Sequence, residues 1–183
     1  MIGAIMQPYF FPYIGYYQLA YEAEKFVFLD DVNFIKKGYI NRNAILLQGR
    51  RHDFSVPVTK ISQNRHINDH NYTGNFSQFL SLIEQVYKKS PFFADVFPIV
   101  QSVALDPDQN VARKNANSIA CVFSYLGIER DFIFSSDMDL NVEYKSQDRI
   151  LALCQKVGIN CYRNAIGGQA LYDKKIFAEK SID

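Results

Sequence analysis

The chain has 183 residues, 48% of them hydrophobic and 21% charged, enough apolar material to bury a sizeable core as one domain. Its net charge is +1 and it carries no long block of like charge, which excludes nucleic-acid binding driven by the charge of the whole chain. It has no run of about 18 apolar residues, so no membrane span is expected, and no basic, apolar leader opens it.

Ile2 to Met6 is an uncharged apolar run and predicts a strand buried on both faces. Pro8 ends it. Helix formers with an apolar stripe run from Ile14 to Glu24, and Phe26 to Leu29 reads as a second strand ending in Asp30-Asp31. That order is the βαβ pattern of a parallel sheet. Asn43 to Leu47 and Asp53 to Val58 predict a hairpin turning at Gln48-Gly49-Arg50-Arg51. The cluster Arg50-Arg51-His52 is read as a solvated turn. Thr59 to Gly74 is polar and predicts a long loop, functional or mobile.

Asn75 is placed to cap a helix reaching Lys89. Ser90-Pro91 opens another, to Ala104, and Asp106-Pro107 breaks the chain. Asn110 to Tyr125 is a third helix, closed by Gly127. Arg130 to Phe134 predicts a strand, Ser146 to Val157 a helix closed by Gly158, Asn160 to Arg163 a strand, and Gln169 to Lys180 a final helix. The expected fold is α/β: a mainly parallel sheet flanked by helices, Rossmann-like, with an antiparallel hairpin. It is read as a single domain over 1–183 with a helical insertion at about 75–126.

In such a sheet ligands bind outside the carboxyl ends of the strands. This rule selects four loops: Gln7 to Gly15, Asp30 to Arg42, Ser135 to Asp139, and Asn164 to Gly168. The first is unusually aromatic, in a chain whose aromatic content of 15% is all Tyr and Phe. Gln7, Tyr9, Tyr13, Gly15 and Tyr16 are its candidates for contact with a planar or sugar-like ligand, the alternative being an apolar dimer interface. The second is the densest polar constellation. Asp30 and Asp31 are candidate general bases, hydroxyl ligands or cation ligands. Asn33, Lys37, Asn41, Arg42 and Asn43 are candidate substrate contacts, the cations for phosphate. Ser136 is selected by position alone. In the last loop Asn164, Gly167 and Gly168 are candidates, because paired glycines allow positive φ and close backbone approach, and a following helix would offer N–H groups to an anion. A tight turn without a ligand is the plain alternative.

No metal site is expected. His66 and His70 have i,i+4 spacing but no third ligand at a diagnostic distance. Cys121, Cys154 and Cys161 include no CxxC pair and read as reduced thiols of a cytoplasmic protein. No GxSxG, HExxH, GxxxxGK[ST] or GxGxxG occurs, so no cofactor is named by motif.

MQPYFFPYIGYYQL, FVFLDDVNFIKKGYINRNAI, FSVPV, Leu126-Gly127-Ile128 before Ser-Ser-Asp, and CYRNAIGGQALYD together resemble the WbqC-like proteins, over nearly the whole chain. The resemblance implies a role in bacterial O-antigen and other surface-polysaccharide synthesis, as a transferase attaching glycine or a similar acyl group to a nucleotide-linked or lipid-linked sugar. Members of that family continue past the last block, so a C-terminally shortened chain is one expectation. A weaker likeness is to nucleotidyltransferase-like folds, which carry HxGH where this chain has Tyr13-Ile14-Gly15-Tyr16. Tyrosine donates a hydrogen bond but is not a cation at neutral pH, so a non-catalytic nucleotide- or sugar-binding relative is the alternative.

Overall fold

Four short apolar segments build one parallel sheet: β1 (Ile2–Met6), β2 (Lys25–Phe28), β5 (Phe132–Phe134) and β6 (Cys161–Arg163), in the order β5-β2-β1-β6. β3 (Arg42–Leu47) and β4 (Arg50–Ser55) form a separate antiparallel hairpin. The computed structural model describes residues 1–140 and 144–183, with the backbone alone at 169 and 170. The described residues fall into two units. One holds Met1–Gln7, Tyr13–Asp30 and Glu129–Asp183, the other Pro8–Pro12 and Asp31–Ile128.

The first unit is an α/β layer structure. Side chains alternate across a strand, so β2 sends Phe26 and Phe28 to one face and Val27 to the other. On the first face Phe26, Phe28, Phe132 and Phe134 make a ladder of ring contacts at 5.2 to 5.8 Å. Tyr16 of α1 (Ile14–Glu22) joins it, 5.6 Å from Phe26. On the second face Ile5 and Val27 pack with Ile150, Leu151, Leu153 and Cys154 of α5 (Ser146–Val157) and Phe177 of α6 (Lys174–Glu179). Gly3 is required there: a Cβ would lie 2.2 Å from Ile159. Both faces are covered, which is why the strands read as uninterrupted apolar runs.

Cys154 sits in that packed layer, and burial pushes its thiol up to about 12. Only about one part in ten thousand is then thiolate at pH 8. Iodoacetamide at pH 8 is expected to modify the half-buried Cys161 well before Cys154, read by peptide mass. Equal rates would contradict the packing of α5 on the sheet.

The second unit packs α2 (Ser77–Tyr87), α3 (Phe93–Leu105) and α4 (Val111–Tyr125) with the hairpin around one aromatic core. Phe10 is its plug, with no exposed surface and ring contacts to Phe11, Tyr72, Phe76 and Phe79 at 4.9 to 6.0 Å. A buried lysine helps close it. Lys114 donates to the carbonyls of Val103 and Asp106, both at 2.9 Å, satisfying the end of α3. Burial lowers its pKa, with Asp106 and Asp108 acting in the opposite sense.

Four local expectations are corrected. The hairpin turns in two residues, Gln48 and Gly49, both at positive φ (50° and 75°), so Arg50, Arg51 and His52 belong to β4. Gln at the first turn position hides the usual two-residue signature. The polar stretch 59–74 is ordered by three isolated bridges and by a 3₁₀ turn at Ile67–Asp69. His70 is fully buried there. Its Nε2 accepts from the Ser62 N–H at 3.1 Å and its Nδ1 donates to the His66 carbonyl at 2.7 Å. The final helix is broken into a 3₁₀ segment, Ile166–Leu171, and α6, because Asp173 caps the Lys175 N–H at 2.9 Å and starts the helix anew. Gly167 and Gly168 lie inside that 3₁₀ segment, and neither takes positive φ.

Candidate functional site

The four parallel strands run in chain order β1, β2, β5, β6 but stand as β5-β2-β1-β6, so the direction of winding reverses between β1 and β6. In a doubly wound sheet this crevice, at the carboxyl edge, is where ligands sit. β1, β2 and β5 end level with each other, Met6 opposite Phe28 and Phe28 opposite Phe134, and β6 is in register with β1 through Ala4 and Arg163. Gln7, Asp30, Ser135-Ser136 and Asn164 onward therefore all leave the same edge.

Asp30 is 1% exposed. Its Oδ1 accepts from the Ser135 hydroxyl at 3.1 Å and the Ser136 N–H at 3.0 Å, and its Oδ2 from the Ser136 hydroxyl at 2.7 Å. The Asp30 N–H donates to Ser135 Oγ at 3.2 Å, lacing the ends of β2 and β5 together. The Ser136 side of this cluster is exposed. The arrangement can polarise a hydroxyl, and it also holds the sheet edge shut.

Gln7 and Tyr16 come together too: the Tyr16 hydroxyl donates to the Gln7 carbonyl at 2.9 Å, and Tyr16 has no exposed surface. Its ring is thus core, and its position anchors the strand end. Tyr13 caps α1 by position without a side-chain hydrogen bond and is 57% exposed. Gly15 lets its ring lie close, since a Cβ would be 2.5 Å from that ring. Across the crevice the Asn164 side chain accepts from the Ala165 N–H at 2.7 Å. Gly168 is buried, and a Cβ there would stand 2.3 Å from the Asn164 amide nitrogen. The glycine pair thus serves close approach at Gly168, while Gly167 is exposed with open space around it.

The remaining candidates lie in the second unit. Asn43 donates to the Phe11 carbonyl at 2.5 Å and to that of Phe10 at 3.4 Å. Asn41 donates to the Val56 carbonyl at 2.8 Å and is buried. Both are occupied in holding backbone. Tyr9 meets Tyr39 at 6.0 Å, the exposed Asn33 bridges to His66, and Arg42 donates to the Lys37 carbonyl at 3.3 Å. Asp31 is half-buried. Lys37, exposed and at a φ of 64°, turns the loop that carries it.

Sequence reasoning missed Asn115, Ser118 and Tyr72. The buried Asn115 side chain donates to the carbonyls of Pro8 at 2.9 Å and Ile40 at 2.7 Å and accepts from the Tyr72 hydroxyl at 2.7 Å. Ser118 accepts from the Phe11 N–H at 3.1 Å. An Asn and a Ser one turn apart, among the apolar positions Val111, Ala112, Ile119 and Phe123 on the buried face of a helix, were the available signal.

Among the described residues no group of His, Cys, Asp and Glu is arranged to hold a metal ion, and no helix is long and apolar enough to cross a membrane. A profile of the WbqC-like protein family matches residues 7–183. The uncharacterized protein Rv1507c of Mycobacterium tuberculosis (strain ATCC 25618 / H37Rv) is 26% identical, an alignment that spans 98% of this chain and 78% of that protein. No solved structure matches the chain.

Proposed function

The chain belongs to the WbqC-like protein family, and from that premise we propose that it is a transferase of bacterial surface-polysaccharide synthesis, moving glycine or another small acyl group onto a nucleotide-linked or lipid-linked sugar. The supporting observation is the crevice between β1 and β6, where Gln7 and the Asn164–Gly168 loop leave the sheet beside a carboxylate–serine cluster on β2 and β5. The sugar hydroxyl or amine attacks the acyl carbonyl carbon. The bond to the activating group breaks, the attacking group gives its proton to a base, and the leaving group takes one up. Asp30, through Ser136, is the carboxylate assigned to that transfer. Positioned general-base catalysis contributes about 10²–10⁴-fold, and holding the two substrates together contributes the rest.

The burial of Asp30 under three donors favours a second reading, a protein that binds a sugar-linked ligand without chemistry. Incubating the purified protein with nucleotide sugars and a glycyl thioester, with mass spectrometry of the sugar, separates the two. The transferase reading expects an acylated sugar, formed at least about 10²-fold more slowly by Asp30→Asn. Ligand binding without any product supports the second reading, and neither binding nor product overturns both.

A further inference from the structure

Beside the outer edge of β6 lies a cavity of about 900 Å³. Its floor is aromatic. Tyr162 stacks on Phe177 at 5.6 Å with 13° between the rings, and Tyr172 meets both edge-on at 5.8 and 5.7 Å. Arg163 and Lys174 line it, both exposed, and neither enters an ion pair among the described residues. The Tyr162 hydroxyl is buried and interacts with that of Tyr172. The backbone of Asp183 is seated on β6, its N–H on the Asn160 carbonyl at 2.9 Å and its carbonyl on the Tyr162 N–H at 2.6 Å.

The lining thus combines two cations outside any ion pair among the described residues, an aromatic cluster and the acidic Asp183. Cations match phosphate oxygens. Aromatic side chains suit the apolar face of a ring carrying few charges. We propose that this groove binds a sugar phosphate or sugar diphosphate, its phosphate on Arg163 and Lys174 and its ring against the cluster of Tyr162, Tyr172 and Phe177. The inference deepens the transferase reading and rests on its choice of a sugar-linked substrate. It adds Arg163 and Lys174, on β6 and α6, as the phosphate-holding pair.

Calorimetric titration of the full chain tests it, with UDP-glucose, inorganic pyrophosphate and free glucose as separate probes. UDP-glucose is expected to bind most tightly, pyrophosphate more weakly, and glucose not measurably. The double variant Arg163→Ala with Lys174→Ala changes two exposed side chains and leaves the circular dichroism unaltered. It is expected to weaken UDP-glucose by about 10-fold or more, and Tyr172→Ala by a few-fold. Pyrophosphate binding as tightly as UDP-glucose overturns the sugar half of the assignment. Unchanged affinity in the double variant overturns the groove while leaving the transferase reading standing. Binding that follows the variants without any acylated product does the reverse.

Discussion

Asn115→Leu is expected to lower the free energy of unfolding by about 2–4 kcal/mol, measured by urea denaturation. Leucine fills nearly the same volume, so the loss is not a cavity effect. It comes from the Pro8 carbonyl, left without its Asn115 donor, from the shorter bond lost at the Ile40 carbonyl, which keeps the Phe10 N–H at 3.3 Å, and from the Tyr72 hydroxyl, whose remaining acceptor is that carbonyl at 3.5 Å. Each unsatisfied buried group costs about 1–3 kcal/mol. Asn115→Asp keeps an acceptor for Tyr72 but turns a carboxyl oxygen toward two carbonyls, and it is expected to do no better. Tyr72→Phe removes a single bond and should cost only about 1 kcal/mol. A loss below about 1 kcal/mol in Asn115→Leu would mean that the Pro8–Pro12 segment is held mainly by the burial of Phe10.

Asp30→Ala is expected to cost about 2–4 kcal/mol, because it strips the acceptor from the two serine hydroxyls and from the Ser136 N–H. The hydroxyls can turn to other acceptors, but the N–H cannot. Asp30→Asn retains one carbonyl oxygen for the N–H and should cost about 1–2 kcal/mol. Thermal unfolding followed by circular dichroism reads both. The difference matters for enzymology: loss of activity in Asp30→Ala mixes unfolding with chemistry, so Asp30→Asn is the variant that reports on proton transfer. Equal stability of the alanine variant and the native protein would remove the structural role given to Asp30 here.

The first βαβ unit was legible because its signals are local. The apolar run from Ile2, the prolines after it and the acids after Leu29 each mark an element boundary. α4 was legible for the same reason, with Asn110 accepting from the Arg113 N–H at 3.1 Å and Gly127 at a φ of 68°. The grouping of residues into two units was not. Pro8, Phe10 and Phe11 belong with residues 31–128 through Asn115, Asn43 and Ser118, and those hydrogen bonds bridge 32 to 107 positions of chain. Nothing within a window of ten residues encodes such a bond. The carboxyl-edge rule placed Asp30 and Ser136 on one rim from topology alone, but their direct bond joins residues 106 apart. Two glycines in sequence showed that space was needed; only the coordinates show that Gly168 needs it, for Asn164, and that Gly167 does not.

The account's central claim is that a sugar-linked substrate binds at the carboxyl edge of the parallel sheet, in the crevice between β1 and β6. Backbone-amide NMR of the uniformly labelled protein, titrated with UDP-glucose, tests it most directly. Saturable shifts concentrated at Gln7, Gly15, Ser136, Tyr162 to Gly168 and Lys174 are the predicted result. Shifts confined to the hairpin β3–β4 and the helices α2 to α4, with those amides unmoved at saturation, would contradict it.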